Sequence, residues 1–234
     1  MIKLSKGSTI KLAKNDGESL TKIRVGMGWQ IKTAHDVTET KEVEVADKTV
    51  GNFFRKIFGG VPTTHTETQT ITRRVKPKSN DEYDLDASCV VLGSNGSPLS
   101  RNSLVYFNHK DAAGIHHGGD NLTGSDGKHD DETIDIELPE VDKRAAKIVV
   151  FMNIYCASRR NQSFEDLTSA YIRIVNSVTG DELCQYDLTD GDALDRNATG
   201  LILGELVRDD SGWSFTAIGK CIRADYPSDV IDKI

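Results

Sequence analysis

Apolar residues in this chain come in short runs that either alternate with polar ones or are apolar throughout, and turn-forming residues cut each run short. The runs are Thr9–Leu12, Lys22–Trp29, Leu85–Leu92, Ser103–Phe107, Thr133–Leu138, Lys147–Tyr155, Tyr171–Val175, Glu182–Leu188 and Trp213–Ile222. Between them stand Asn95-Gly96-Ser97-Pro98, Thr179-Gly180-Asp181 and Asp209-Asp210-Ser211-Gly212. Alternation puts successive side chains on opposite faces of an extended chain, and Gly, Asn, Asp and Pro supply the dihedral angles of tight turns. The pattern predicts an all-β protein, a two-sheet antiparallel β-sandwich. One short helix is expected around Gln162–Leu167, with no long helical period elsewhere in the main body.

Residues 35–80 read differently. Val37–Val45 alternates, and Thr64, Thr66, Thr68, Thr70 and Thr72 alternate with His65, Glu67, Gln69 and Ile71. Both stretches predict strands of a two-stranded ribbon. Between them Val50, Phe53, Phe54, Ile57 and Phe58 recur at helical spacing, with Asp47 as N-cap and Gly59-Gly60-Val61-Pro62 as the stop. The reading is a single domain over 1–234 with an insertion at 35–80: a β-ribbon carrying a short amphipathic helix at about 47–58. So short a helix needs burial. Its Phe face can pack on the parent sandwich, or Phe53, Phe54 and Phe58, beside Arg55 and Lys56, can dock on a second copy, a protein partner or a membrane surface.

Charge narrows the partners. The net charge of -7 argues against nucleic acid, whose phosphates require clustered Lys and Arg. Cys89, Cys156, Cys184 and Cys221 form no CxxC pair and read as reduced residues of a cytosolic protein. Met1–Gly7 lacks the apolar run of a signal peptide, and no stretch approaches the ~20 apolar residues of a membrane span. A cytoplasmic location follows as the expectation, with peripheral contact at the inner membrane left open through the Phe-bearing helix.

Two segments carry the chemistry. In Asp84-Leu85-Asp86, entering a strand, both carboxylates fall on one face and repel unless a cation sits between them. The glycine-punctuated segment 118–132 holds Asp120, Asn121, Asp126, Asp130, Asp131 and Glu132 and runs straight into the strand at Thr133. Hard oxygens in this number suit Ca²⁺, which takes about 6–8 of them in flexible geometry; Mg²⁺ is second choice. The segment is not an EF-hand: counting from Asp120, Leu122 falls at position 3, Ser125 at position 6 and Glu132 at 13. On charge alone, a solvated acidic surface explains it equally well.

Lys3-Leu4-Ser5-Lys6-Gly7, Val25-Gly26-Met27-Gly28-Trp29, Asp84-Leu85-Asp86-Ala87-Ser88, Phe107-Asn108, Gly119-Asp120-Asn121-Leu122-Thr123-Gly124 and Asp130-Asp131-Glu132 appear in the order found in the TerD family, which this chain resembles. Tyr171–Asn176, Tyr186-Asp187-Leu188 and Gly204-Glu205-Leu206 complete the set, which covers nearly the whole chain outside 35–80. The resemblance implies a sandwich whose acidic loops bind a pair of calcium ions, a non-enzymatic role in tellurite resistance and bacterial stress response, and partners among other TerD-like or membrane-associated proteins. Carried over residue by residue, the implied ligands are Asp84, Asp86, Asn108, Asp120, Asn121, Asp130, Asp131 and Glu132, with Thr123 adding an oxygen. Lys128 and His129 depart from the family loop, which carries more Gly and Glu before its Asp-Asp-Glu.

Other chemistries fit less well. His109, His116, His117 and His129 flank the loop without zinc-site spacing and read as surface residues. Gly26-Met27-Gly28 opens no helix, so it signals close backbone approach or a bulge rather than a dinucleotide site. A metal-dependent phosphoesterase using the acidic cluster is the enzymatic alternative, with Lys128 and His129 the local candidates to hold substrate. An assembly or membrane-docking protein driven by the 35–80 insertion is the other. Trp29 and Trp213 are expected in the core.

Overall fold

A computed structural model describes residues 1–14, 17–31, 35–46, 64–75, 83–119, 129–188 and 195–234. The helix expected at about 47–58, and Asp120, Asn121, Thr123 and Lys128, lie outside the described residues. The strands are β1 (Ile2–Leu4), β2 (Thr9–Lys11), β3 (Lys22–Ile31), β4 (His35–Ala46), β5 (Thr64–Val75), β6 (Leu85–Leu92), β7 (Leu104–Val105), β8 (Asp111–Ala112), β9 (Ile115–His117), β10 (Glu132–Glu137), β11 (Lys147–Ile154), β12 (Leu167–Asn176), β13 (Glu182–Leu188), β14 (Gly200–Asp209) and β15 (Gly212–Ile222). Two short helices are described, α1 (Ala157–Arg160) and α2 (Pro227–Ile231).

The chain divides into two compact units, Met1–Lys32 with Lys78–Ile234, and Thr33–Pro77. In the larger unit, one sheet runs β1-β13-β12-β3-β10-β9-β8 and the other β2-β15-β14-β11-β6-β7. Pairing is antiparallel except for β1 on β13, which is parallel. Alternation builds the core between the sheets. Val25, Met27 and Trp29 of β3, Ile134 and Ile136 of β10, and Ile172 and Ile174 of β12 meet Ala87, Cys89, Ile148, Val150, Leu203 and Phe215 from the opposite sheet. Trp29 and Trp213 are both buried.

The six-stranded sheet is apolar on its outer face as well. Val90, Leu92, Val149, Phe151, Ile202 and Ile222 form a second cluster there with Val230 of α2. Strands covered on both faces lose alternation, which is why β6 is buried at every position.

The expected helix at Gln162–Leu167 is instead a 3₁₀ turn, Phe164–Asp166, capped by the Ser163 hydroxyl. α1 precedes it, bounded by Cys156 and Asn161, both in the left-handed conformation. Two left-handed residues so close together break the helical ladder before a longer helix can form.

The smaller unit is a ribbon in which β4 and β5 pair antiparallel along their whole length, from His35 opposite Val75 to Ala46 opposite Thr64. Thr40 faces Thr70, and Glu42 and Glu44 face Thr68 and Thr66, so one face is a threonine–carboxylate surface. Val43 and Ile71 are exposed on the other.

Candidate metal centre

The candidate ligands fall into three neighbourhoods. Asp84 and Asp86 lead into and begin β6. Ala87 and Cys89 face the inter-sheet core while Val90 and Leu92 face outward, so alternation sends Asp86 and Ser88 to the outer face of the six-stranded sheet. Pairing with β11 sets Asp86 opposite Asn153, and the Tyr155 amide donates to the Asp84 carbonyl at 2.9 Å. Asp84 and Asp86 are 8% and 2% exposed. The Arg160 guanidinium lies 3.5 Å from the Asp84 carboxylate and over the Tyr155 ring. Asn108 occupies the exposed turn between Tyr106 and His109. Its neighbour Phe107 packs edge-on against Tyr155, which brings this turn to the same flank of the sheet.

Glu132 lies elsewhere, between the sheets. β7 pairs with β6 at Cys89 and Val90, which leaves the edge of β6 at Ala87 for another partner. Glu132 and His117 supply it. The Ala87 amide donates to Glu132 Oε2 at 2.7 Å, and His117 Nε2 donates to the Ala87 carbonyl at 3.0 Å. His117 Nδ1 accepts from the Gly119 amide at 3.1 Å, which leaves Nε2 as the donor. The same Nε2 is 3.4 Å from Glu132 Oε2. His117 is fully buried, which corrects the surface reading; it ties the start of the acidic segment to β6. His109 bonds the Leu104 carbonyl, and His116 pairs with Asp111.

Asp130 falls on the outer face of the seven-stranded sheet. Arg173 grips it through Nε at 2.7 Å and Nη2 at 2.9 Å, and the Tyr171 hydroxyl donates to it at 3.0 Å. The remaining nitrogen, Nη1, reaches Glu182 at 3.2 Å. The carboxylate raises the Arg173 pKa, chiefly through the hydrogen bond, and Tyr171 is raised by burial first and by the Asp130 charge second. The glycines of β3 are what make room. A Cβ on Gly26 would overlap the Asp130 carboxyl, and one on Gly28 would meet the Tyr171 ring at 2.5 Å. Gly26-Met27-Gly28 is therefore a seat for this clamp, the close approach its sequence suggested. Asp131 follows: its amide donates to the Met27 carbonyl at 2.8 Å and its carboxylate accepts from the Trp29 amide at 2.9 Å.

Both ends of the segment 119–129 are thus tied down, one at His117 and the other at Asp130 and Asp131. Glu132 brings the second end against Ala87, the residue after Asp86. Among the described residues, no three His, Cys, Asp or Glu side chains converge as a metal cluster. What the described part does place together is Asp84, Asp86 and the buried amide of Asn153, a set of hard oxygens of the kind that suits Ca²⁺ or Mg²⁺ over softer metals. Arg173, Tyr171, His117 and Asn153 were not singled out as site residues from the sequence. Only the Tyr171-Ile172-Arg173 motif carried a signal for any of them.

Among the described residues, no helix is long and apolar enough to cross a membrane. A family model, the TerD domain, matches residues 1–227. Stress response protein SCP2 of Bacillus subtilis (strain 168) is 32% identical over 234 residues, covering 99% of this chain and 98% of that one. Tellurium resistance protein TerZ of Serratia marcescens is 28% identical over 240 residues, covering 100% and 99%. A crystal structure of a homologue of telluride resistance protein (TerD) from Streptomyces coelicolor A3(2) superposes with a TM-score of 0.56 at 17% identity, covering 91% and 96% of the two chains, a likeness of fold. The chain belongs to the TerD family, that of the tellurium resistance and bacterial general stress proteins.

Proposed function

We propose that this chain is a calcium-binding, non-enzymatic stress-response protein associated with tellurite resistance, acting in the cytoplasm as a calcium-dependent interaction module. The observation that carries this reading is the pair of buried carboxylates, Asp84 and Asp86, beside which both ends of the Asp-rich segment are anchored. Asp84, Asp86, Asn108 and Asp131, with Asp120, Asn121 and Thr123, would hold a pair of ions. Glu132 and Asp130 fix the frame around them through Ala87 and Arg173. Bound calcium would supply the positive charge that lets these carboxylates crowd together. The loaded site then presents a surface, and the partners proposed for it are other TerD-like or membrane-associated stress proteins.

Mass action gives the test. A ligand that binds only the folded chain stabilises it by about 2.7 kcal/mol at a hundredfold excess over Kd. For a chain of this size that is a rise of roughly 5–10 °C in melting temperature. Melting curves of the chelator-stripped protein with and without millimolar Ca²⁺ measure it directly. Coincident curves would remove the proposal.

A further inference from the structure

Asn153 lies in the middle of a covered face, and it is polar. It is 0% exposed, and its Oδ1 has no hydrogen-bond partner among the described residues. Its amide nitrogen reaches the Asp225 carbonyl at 3.5 Å, which turns one side of the group toward the 225 segment and leaves the carbonyl oxygen for the other. Ser88, also 0% exposed, has a hydroxyl in the same condition. Both residues border Asp86: Asn153 is its cross-strand partner, and Ser88 is the next residue along β6 on the same face. Directly opposed side chains on one face have Cβ atoms about 4.5–5.5 Å apart, within reach of a shared ligand. Past them the face is Phe151, Val90 and Val149. A buried amide oxygen left without a partner is unfavourable, so its retention beside a carboxylate needs a cause.

We propose that Asn153 Oδ1 is a ligand to the cation held by Asp84 and Asp86, an inference that rests on the calcium reading above. An amide carbonyl is a neutral hard oxygen of the type Ca²⁺ accepts alongside carboxylates. It adds a donor without adding charge to a site already rich in Asp. It also places the ion against the outer face of the six-stranded sheet, at the β6–β11 ladder, where two neighbouring strands supply its ligands. Ser88 lies on the far side of Asp86 from Asp84 and provides a hydroxyl for a water or ligand in the same row. Nothing in the local sequence Phe151-Met152-Asn153-Ile154 marks Asn153 for this role; the β6–β11 register does.

The test uses the metal-stripped full-length protein titrated with Tb³⁺ as the probe and Ca²⁺ as competitor. Luminescence lifetimes in H₂O and D₂O count the waters left on the bound ion. If Asn153 is a ligand, Asn153→Ala weakens Ca²⁺ about tenfold, equivalent to about 1.4 kcal/mol, and adds about one water to the bound Tb³⁺. Asn153→Asp restores affinity with the wild-type water count, and it serves in place of the alanine variant if that one does not fold. Equal affinity and equal water count in Asn153→Ala and wild type would overturn the assignment while leaving calcium binding intact; the orphan oxygen would then belong to a buried water. Failure of wild-type protein to bind Tb³⁺ or Ca²⁺ at all would overturn both readings together.

Discussion

Replacing Arg173 by Met should loosen the end of the acidic segment, by an amount the geometry sets. Arg173 makes two charge-assisted hydrogen bonds to Asp130, at 2.7 and 2.9 Å. The two side chains are 30% and 9% exposed, so solvent screens the pair only in part. Removing the guanidinium leaves a nearly buried carboxylate facing the Tyr171 hydroxyl. Breaking a fully buried pair is unfavourable by about 3–5 kcal/mol; with Arg173 partly exposed, about 2–3 kcal/mol is expected. That corresponds to roughly 4–12 °C in melting temperature for a chain this long. Asp130→Asn alone should be milder, because the amide keeps an acceptor for Tyr171. Urea unfolding of the single variants and of Arg173→Met/Asp130→Asn closes a double-mutant cycle, with a coupling of about 1.5–3 kcal/mol predicted. A coupling below about 0.5 kcal/mol would mean that the pair is a surface contact and that Asp130 is not an anchor.

Gly28→Ala sets a Cβ 2.5 Å from the Tyr171 ring, and overpacking of this kind should destabilise by about 1–3 kcal/mol; in a Tyr171→Ala background the same substitution should cost little by urea titration, and an undiminished cost there would place the strain elsewhere. Alkaline pH should unfold the chain early. Burial pushes the Cys89 and Cys184 thiols up to about 12, while thiols of the unfolded chain ionise near 8.5. Their contribution is intact below about pH 8.5 and is lost as pH climbs toward the folded values, at up to about 1.4 kcal/mol per pH unit for each thiol. Cys184→Ala should reduce the slope of stability against pH between about 9 and 10 by one thiol's share, and an unchanged slope would exclude the thiols as the cause.

The strand pattern was legible because alternation is a local property. β6 and β13 run over the same residues as the apolar runs Leu85–Leu92 and Glu182–Leu188. The ribbon strands were legible in the same way. What alternation could not reveal was which carboxylates share a face. Asp84, Asp86 and Asp130 read as one acidic set, yet they fall on different sheets, and Asp130 meets a guanidinium brought to it by the β12–β3 register. His117 looked like a surface residue because its partners, Ala87 and Glu132, come from two other strands. Asn153 gave no sign for the same reason: its meaning lies in the strand opposite.

The central claim is that the acidic constellation binds calcium. Calorimetric titration of the chelator-stripped full-length chain with Ca²⁺, in a background of Mg²⁺ and beside Asp86→Ala, tests it most directly. The account predicts saturable binding of about two ions per chain, selective over Mg²⁺ and weakened in Asp86→Ala. Titration to about 1 mM Ca²⁺ with no saturable heat would contradict it.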